Sequence, residues 1–571
     1  MYREEHPNPQ FYRKEWKNLN GEWDFEWDFG DSGKERKLYE NDKFSKKITV
    51  PFCPESKLSN IEYKDFMNCV WYRRKFDILE RWKTTGRVFI HFGAVDYKAT
   101  VYINKKEVGT HVGGYTSFKF DITDYINSGT NVVCLCAEDN NRQGLQPCGK
   151  QASKYASSGC DYTRTTGIWQ TVWLEHTPDN YIENFRFYPD VKNGRLLFDV
   201  NTHGSEQLNI VVSYNGKQMG NINLTSDANV IKGEIQLLEK HLWELGNGKL
   251  YDVELQYGED IVKSYFGLRE VKMEGFKFLL NGRSVFQRLV LDQGFYQDGI
   301  YTAPSEEDLI KDIQLSIDAG FNGARLHEKV FEPRFLYHCD KMGYMVWSEF
   351  PNWGLNISCP EILSSYISQW REVMERDFNH PSIIGWCPFN ETWDYQGKRQ
   401  WNELISTIYY MTKAMDYTRP CIDTSGHYHV VTDIFDIHDY EQDCKIFADK
   451  FKDLSKGKIE NFANDRQTYK GEPVFVSEYG GISRASDNVK GWGYGTSPEN
   501  DKEFMERYQG LTFSLLDNPF IFGFCYTQLY DIEQEVNGLY TYSREPKFDI
   551  NQIKAINTKK AAIEEKDLEI K

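Results

Sequence analysis

The sequence lacks long apolar segments and a recognisable leader. No run of about 18 apolar residues is present, so no membrane-spanning helix is predicted. The first residues, Met1 to Pro7, contain no apolar stretch of the kind that a secretory signal needs. Both absences favour a cytoplasmic protein, although a signal removed before Met1 would leave the same sequence.

Positively charged residues are fewer than negatively charged ones. Lysine and arginine number 68 against 85 aspartate and glutamate residues, and the formal net charge is −17. No basic run suited to a phosphate backbone is visible. Neither nucleic acid nor an anionic membrane surface is therefore an expected partner.

Motifs for metals and cofactors are absent too. The 12 cysteines are scattered, with Cys134 and Cys136 the closest pair, and no C-x-x-C occurs. We expect free thiols and no cysteine-bound metal. No G-x-G-x-x-G, P-loop or G-x-S-x-G sequence is present, so neither an organic cofactor nor a serine-hydrolase elbow is predicted. A structural Mg²⁺, Ca²⁺ or Na⁺ stays open, as does a homo-oligomer.

Aromatic residues, in contrast, are abundant, with 15 Trp, 36 Tyr and 36 Phe. Aromatic rings stack on the C–H faces of sugars, but β-rich domains also place them in strands. The chain of 571 residues is longer than one hydrophobic core can cover. We therefore expect roughly three or four domains.

The first two predicted domains are all-β. Residues 1–177 contain short strand-like runs such as 87–92, separated by Gly and Asn clusters, which predicts a jelly-roll β-sandwich. Residues 178–267 contain a strand that runs into an Asn215-Gly216 hairpin turn. Their length and alternating strands predict an immunoglobulin-like β-sandwich, interpreted as a structural spacer.

From about residue 268 onward, strand-like runs alternate with helical stretches. Ser305 and Asp308 form an S-x-x-D capping pattern that predicts the start of the first helix. Length and alternation together predict a (β/α)8 barrel over 268–571. The eight strand candidates are 285–291, 322–326, 344–349, 383–389, 421–425, 434–438, 473–478 and 521–527.

Two of these strands lead into a glutamate. Glu391 follows the fourth strand and Glu478 the seventh, so both belong at the barrel mouth, where this fold carries its reactive groups. Strand-end carboxylates are common, but an opposed pair about 5–5.5 Å apart is what retaining glycoside hydrolysis needs. The general acid must hold a proton near neutrality. We expect the apolar neighbours Trp386, Phe389 and Trp393, with the partner's charge, to raise its pKa.

The sequence around these glutamates resembles glycoside hydrolase family 2, which includes relatives of β-galactosidase, β-glucuronidase and β-mannosidase. The resemblance covers essentially the whole chain in the expected domain order. The stretches that carry it are NHPSIIGWCPFNE at 379–391 (acid/base signature), VFVSEYG at 474–480 (nucleophile strand), 92–105 and 166–175 (jelly roll), and NGARLH at 322–327 and CDKMGY at 339–344 (second and third barrel strands).

The resemblance implies roles for individual residues. Glu391 corresponds to the acid/base, Glu478 to the nucleophile, and Asn390 to the residue that hydrogen-bonds the sugar 2-hydroxyl. Tyr440 is expected either to hold the nucleophile's charge or to be a rim tyrosine. The other substrate-binding candidates, each with a purely structural role as its alternative, are Arg325, His327, Trp353, Trp393, His438, Tyr526 and Gln528 at strand ends, and Asp161 and Arg164 in a jelly-roll loop.

The sequence departs from the family in two places. After the first barrel strand many members carry Asn-x-His-Glu, whereas this chain has Asp292-Gln293. Asp292 can still bind a sugar hydroxyl, but the galactosidase metal contacts do not carry over. Where glucuronidases carry Asn-x-Lys, this chain has Glu535-Val-Asn537. No lysine stands there for a substrate carboxylate, and Glu535 would repel a uronate.

The leading hypothesis is a retaining exo-β-glycosidase that acts on a β-galactoside without a cofactor. The second is the same chemistry on a galacturonide, arabinoside or fucoside. The third is a catalytically inactive carbohydrate-binding protein, which the presence of both glutamates and Asn390 disfavours.

Overall fold

The computed structural model describes residues 3–226, 228–460, 465–485 and 491–564. The first domain is all-β. Its strands are β1 (Trp16–Asn18), β2 (Gly21–Trp27), β3 (Lys46–Val50), β4 (Cys69–Asp77), β5 (Arg87–Phe92), β6 (Val95–Asp96), β7 (Lys98–Ile103), β8 (Lys106–Val112), β9 (Phe118–Asp121), β10 (Thr130–Glu138), β11 (Gly167–Ile168) and β12 (Val172–Thr177), with a short helix α1 (Glu80–Thr84) after β4.

These strands form two facing antiparallel sheets, which confirms the predicted β-sandwich. The sheet orders are β1-β12-β5-β9 and β3-β2-β4-β10-β7-β8, and β6 pairs with β11. Apolar side chains such as Trp23, Ile90 and Leu135 point between the sheets and are buried. The connection from β10 to β11, residues 139–166, is 28 residues long and carries no named strand or helix. This connection, called the bridging loop below, reaches the barrel.

The second domain is a smaller β-sandwich, also as predicted. Residues alternate between buried and exposed along its strands, as expected when one sheet face packs on a core. Its sheets have the orders β13-β14-β17 and β16-β15-β18-β19. The strands are β13 (Tyr181–Asp190), β14 (Arg195–His203), β15 (Gln207–Tyr214), β16 (Lys217–Thr225), β17 (Val230–Gln236), β18 (Tyr251–Tyr257) and β19 (Asp260–Phe266).

The third domain is the predicted barrel. A small sheet of β20 (Val271–Glu274), β21 (Lys277–Leu280) and β22 (Arg283–Ser284) precedes it. The barrel strands are β23 (Gln287–Asp292), β24 (Gly323–Leu326), β25 (Met345–Glu349), β26 (Ile383–Cys387), β27 (Phe435–Asp439), β28 (Val474–Gly480) and β29 (Ile521–Thr527). The helices are α2 (Glu306–Asp318), α3 (Pro333–Met342), α4 (Leu363–Asp377), α5 (Asn402–Met415), α6 (Cys444–Asp449), α7 (Asp501–Leu516) and α8 (Ile550–Asn557).

The barrel strands are all parallel, in the order β26-β25-β24-β23-β29-β28-β27. Helix α2 begins as predicted, because the Ser305 side chain accepts a hydrogen bond from the Asp308 backbone N–H. The parallel arrangement brings the carboxyl ends of all strands to one rim. The rim is where the sequence placed both glutamates.

The predicted fifth strand, 421–425, differs from expectation. It lies between β26 and β27 but joins β26 only through single parallel bridges, Trp386 to Cys421 and Asn390 to Ser425. The Asp423 carboxylate accepts hydrogen bonds from the backbone N–H groups of Val430 and Val431 and so fixes the turn that follows. The segment is therefore an extended connection that closes the barrel without a continuous ladder.

Two further findings concern the chain as a whole. None of the helices among the described residues is long and apolar enough to cross a bilayer. All 12 cysteines lie in the described ranges and are free thiols, as the sequence predicted.

Candidate active site

Glu391 and Glu478 meet at the barrel rim. Glu478 is part of β28, whereas Glu391 lies four residues beyond the end of β26. Carboxylate oxygens of the two glutamates and a ring nitrogen of His438 all lie within 4.8 Å of one another. The fourth and seventh strands therefore bring two carboxylates together, as the sequence predicted.

Fixed donors surround the Glu478 carboxylate. Arg325 Nη1 donates to one oxygen at 3.1 Å, and the Tyr440 hydroxyl donates to the other. Arg325 also forms an ion pair with Glu349 at 2.6 Å and is almost fully buried. His327 Nδ1 lies 3.9 Å from Glu478 and 3.0 Å from Glu349. These partners hold the Glu478 carboxylate in one orientation.

The surroundings of Glu391 are different. His438 Nδ1 lies 2.6 Å from one carboxylate oxygen, and Trp393 Nε1 donates to the other at 3.1 Å. The Glu391 backbone has a φ of +40°, a left-handed conformation that is costly for a residue with a side chain. Its N–H donates to the Ser425 carbonyl at 2.9 Å, which holds this turn in place.

The expectation that apolar neighbours raise the pKa of Glu391 is wrong. Burial does raise the pKa of Glu391, but the hydrogen bond and charge of His438 lower it by more than burial raises it. The net shift is downward. Trp386 donates to Asp416 at 2.8 Å, and Phe389 stacks on Tyr366, so both rings pack within the barrel wall. The protonation of Glu391 and that of His438 must therefore be considered together.

His438 is held by contacts on both ring nitrogens. Its Nε2 lies 3.0 Å from Ser425 Oγ and 3.3 Å from Arg325 Nη1, and its Nδ1 lies 3.4 Å from Glu478. A Cβ on Gly426 would lie 2.4 Å from the imidazole, so glycine is required there. Burial lowers the pKa of His438, but the charge of Glu478 and the bond to Glu391 raise it, and the net shift is upward.

Asn390 presents an unused donor to the site. Its Oδ1 accepts from Arg325 Nη2 at 3.1 Å, and its backbone N–H donates to Asn352 Oδ1 at 2.6 Å. Its Nδ2 is buried and has no hydrogen-bond partner among the described residues. A buried donor without a partner costs free energy unless a ligand accepts from it. This amide nitrogen can bind a sugar hydroxyl, the role expected for Asn390.

A cavity of about 240 Å³ opens beside Glu391. Trp353 and Trp393 line it, as does Asp161 from the bridging loop. Trp393 is 48% exposed, so its ring is available at the rim. These three predicted residues therefore lie where a sugar bound at Glu391 would reach.

The bridging loop also brings two residues that sequence reasoning missed, Tyr162 and Lys150. The Tyr162 hydroxyl donates to Glu535 and accepts from Gln293 Nε2 at 3.0 Å. Lys150 Nζ lies 3.6 Å from the centre of the Trp353 ring. The sequence predicts that this loop reaches the barrel mouth, but only the folded chain shows which of its side chains cross to the barrel.

Two strand-end predictions are wrong in direction. Tyr526 packs against Tyr508 of α7, with ring centres 4.9 Å apart, so it faces the helix layer rather than the site. Its neighbour Thr527 faces inward, 3.1 Å from the Tyr440 hydroxyl. Asp292 accepts from the Tyr530 hydroxyl at 2.7 Å and is not aimed at a sugar.

Two other predicted contacts are used within the protein. Arg164 donates to the backbone oxygens of Lys154 and Lys64 at 2.9 and 2.8 Å, so it stabilises the bridging loop and is not a sugar ligand. Gln528 accepts from Gln293 at 2.7 Å and donates to Asn537 at 2.8 Å. It supports the floor of the site.

Glu535 does not act as the free acid that the sequence indicated. Tyr162 donates to one of its oxygens, and Asn537 Nδ2 donates to the other at 2.8 Å. Burial raises its pKa. Both of its oxygens are thus used within the protein, and neither is left free to face a sugar.

Two clusters among the described residues have the spacing of metal ligands. One is Glu391, His438 and Glu478 itself. A cation there would compete with the proton between His438 and Glu391, so we assign none. The other contains Asp28 and Cys69, but both Asp28 oxygens already accept hydrogen bonds from donors that include Gly33 N–H and Arg36.

Three family models match consecutive parts of the chain. They are the sugar binding domain of glycosyl hydrolases family 2 at residues 16–178, the family 2 model at 180–269, and the family 2 TIM barrel domain at 271–558. Their order is that of the three observed domains.

Individual relatives carry two different names. A β-galactosidase from Thermoanaerobacter pseudethanolicus is 27% identical over 60% of this chain and 48% of its own length, and a relative from Formosa agariphila is likewise matched over 51% of its length. The chain thus spans about half of these two proteins. The β-glucuronidase of Felis catus is 23% identical over 87% of this chain and 82% of that enzyme.

Solved structures agree on the fold. A β-glucuronidase from Ruminococcus gnavus in complex with D-glucuronic acid has a TM-score of 0.81 at 19% identity, with 97% of this chain and 100% of that chain covered. A β-glucuronidase from an uncultured Clostridium sp. has a TM-score of 0.79 at 20% identity over 96% and 98%. With family models matching from residue 16 to 558, the chain belongs to glycoside hydrolase family 2.

Proposed function

We propose that the protein is a retaining exo-β-glycosidase, with Glu478 as nucleophile and Glu391 as acid/base. The observation that carries the proposal is the approach of the two carboxylates to within 4.8 Å. Retaining enzymes place their carboxyl groups about 5–5.5 Å apart, whereas inverting enzymes need about 6.5–9.5 Å to admit a water molecule. The close approach supports direct attack by a carboxylate.

In the first step, Glu478 attacks the anomeric carbon and the bond to the leaving oxygen breaks. Arg325 and Tyr440 donate hydrogen bonds to the two oxygens of Glu478 and fix its position. Glu391 delivers a proton to the leaving oxygen. In the second step, Glu391 takes a proton from water, and the resulting hydroxide oxygen attacks the anomeric carbon and releases Glu478.

His438 supplies a source for that proton. Its pKa is shifted upward, because the charges of Glu478 and Glu391 outweigh the effect of burial, and its Nδ1 lies 2.6 Å from Glu391. The Glu391–His438 pair can therefore share a proton, since it is His438 itself that lowers the pKa of the buried Glu391 carboxyl. Binding of the leaving group next to Glu391 would draw the proton across this short contact.

The proposed sugar is a terminal β-galactoside. Support comes from the β-galactosidase relative and from Glu535-Val-Asn537, which lacks the lysine of glucuronidases. The relative from Felis catus carries the name β-glucuronidase, so a uronide belongs in the same test. An inactive binding protein is disfavoured, because both glutamates are present and hydrogen-bonded.

The test is hydrolysis of 4-nitrophenyl β- and α-glycosides by the full chain, with Glu478→Ala alongside. The panel should include β-galactoside, β-glucuronide, β-galacturonide, β-fucoside and α-L-arabinopyranoside. We expect strong turnover of the β-galactoside that the variant lacks. Turnover only of α-glycosides, or equal turnover by the variant, would reject the proposal.

A further inference from the structure

Lys150 is a buried lysine at the barrel mouth that comes from a different domain. It lies in the bridging loop of the first β-sandwich and is 6% exposed. The loop is fixed to the barrel next to it, because Cys148 N–H donates to the Trp353 carbonyl at 2.8 Å. A Cβ on Gly149 would lie 2.2 Å from the Glu328 carbonyl oxygen, so the backbone approaches the barrel too closely for a larger residue.

The ammonium group of Lys150 has no direct carboxylate partner. Nζ lies over the Trp353 ring at 3.6 Å, and none of the ion pairs within 4.0 Å among the described residues includes it. Burial lowers its pKa, but neighbouring groups, Cys160 first and then Glu391 and Glu478, raise it, and the net shift is upward. Lys150 is thus a buried, charged donor that is attracted by both proposed catalytic carboxylates but forms a direct ion pair with neither.

Trp353 links Lys150 to the residue that is proposed to bind the sugar. The Trp353 indole N–H donates to the Asn390 carbonyl at 3.2 Å, so the ring that carries Lys150 touches the residue proposed to hold the sugar 2-hydroxyl. The ring hydroxyl next to the 2-hydroxyl, away from the anomeric carbon, is the 3-hydroxyl. A cation also destabilises the positive charge that develops at the anomeric carbon, which favours a binding role over transition-state stabilisation.

We propose that Lys150 is a substrate-binding residue that donates to the 3-hydroxyl of the sugar, so that the first domain completes the sugar site of the barrel. The proposal rests on the proposed function, because it uses the assignment of Asn390 to the 2-hydroxyl. It makes a free 3-hydroxyl a requirement for substrates and leaves the C6 substituent to other residues.

The test is a thermodynamic cycle in which the lysine of the protein and the hydroxyl groups of the substrate are removed separately and together. The full chain, Lys150→Met and the matched control Lys154→Met are assayed on three 4-nitrophenyl glycosides: the β-galactoside, its 3-deoxy analogue and its 6-deoxy analogue, the β-D-fucoside. Lys154 is exposed on the same loop, and only its backbone oxygen is used, by Arg164.

We expect Lys150→Met to lose about 10- to 100-fold in kcat/KM on the β-galactoside, the value of a hydrogen bond from a charged donor. The loss should appear mainly as a higher KM. It should persist on the fucoside and shrink to less than about threefold on the 3-deoxy analogue, where the partner is already gone. Lys154→Met should match the wild type on all three.

Two results would overturn the proposal. One is an equal loss on all three substrates, which would show that Lys150 acts on the glutamates or the loop. The other is a loss that disappears on the fucoside, which would place Lys150 at C6. If Lys150→Met does not fold, the wild type alone decides: removal of the 3-hydroxyl must cost at least about tenfold more than removal of the 6-hydroxyl. Failure of the wild type to cleave any β-glycoside would instead reject the proposed function.

Discussion

The two glutamates at the barrel mouth differ in the partners that hold them. Glu478 lies within β28 and is bound by Arg325 and Tyr440. Glu391 lies beyond the end of β26, beside the cavity, and is bound by His438 and Trp393. Arginine does not give up its proton in proteins, whereas histidine does so in the physiological range.

The difference corresponds to two chemical tasks. A nucleophile must stay ionised and aligned, which permanent donors achieve. An acid/base must gain and lose a proton within one turnover, which a partner with an exchangeable proton allows. The roles proposed for Glu478 and Glu391 thus follow from their surroundings as well as from the resemblance.

Removal of Glu478 should have the largest effect. Glu478→Ala eliminates the proposed nucleophile, so kcat on any substrate should fall by about 10⁴-fold or more, with the glycosylation step lost first. The measurement is steady-state and single-turnover release of nitrophenol. A circular dichroism melt near that of the wild type is the control, and a loss below about 100-fold would contradict the role.

Removal of Glu391 should have an effect that depends on the leaving group. Glu391→Ala should lose about 10²–10⁴-fold on substrates with poor leaving groups, because these need protonation, and should spare glycosylation by activated aryl glycosides. Azide should restore turnover of the activated substrates by replacing water, which then lacks its base. Equal loss for all leaving groups without azide rescue would argue against the acid/base role.

Tyr440→Phe tests the donors around Glu478. The substitution removes the hydroxyl that donates to Glu478 and contacts Thr527, but it keeps the ring stacked on Tyr494. We expect kcat to fall by about 10- to 100-fold, the value of a hydrogen bond to a charged group. The kinetics of the variant on one aryl glycoside, compared with Tyr410→Phe on the exposed face of α5, would measure it. An unchanged kcat would make Tyr440 a rim residue.

His438→Gln tests the proton of the acid/base. The pKa of His438 is shifted upward from its ordinary value of about 6.5, so the pair keeps its proton beyond that pH. In the variant the proton depends on the carboxyl of Glu391, whose ordinary pKa is about 4.3; burial raises that pKa once His438 no longer lowers it. We expect the raised pKa to stay below that of His438, so the alkaline limb of kcat/KM against pH should move to lower pH. A move to higher pH would show that burial alone keeps Glu391 protonated.

Local sequence was enough to locate the two glutamates of the candidate site. Each glutamate lies at the end of an apolar run, and parallel strands bring their carboxyl ends to one rim, so Glu391 and Glu478 followed from strand order. Alternation along a strand did not tell which side faces the site. Tyr526 and Thr527 are neighbours with opposite directions, and only packing against α7 decides between them.

Contacts between domains could not be predicted from the sequence either, because they too depend on packing between distant parts of the chain. Lys150 and Tyr162 are separated from their barrel partners by about 200 to 370 residues in sequence, and no periodicity connects them. Asp161 and Arg164 in the same loop were both candidates, yet only Asp161 reaches the cavity. The loop's position was readable, but the orientation of its side chains depends on how the sandwich docks on the barrel.

The most direct test of the account is to trap the covalent intermediate. A 2-deoxy-2-fluoro-β-galactoside with a good leaving group slows the second step, so the glycosyl-enzyme accumulates, and peptide mass spectrometry can locate the label. The account predicts one sugar per chain, attached to Glu478. A label on Glu391, or turnover with inversion and no label, would contradict it.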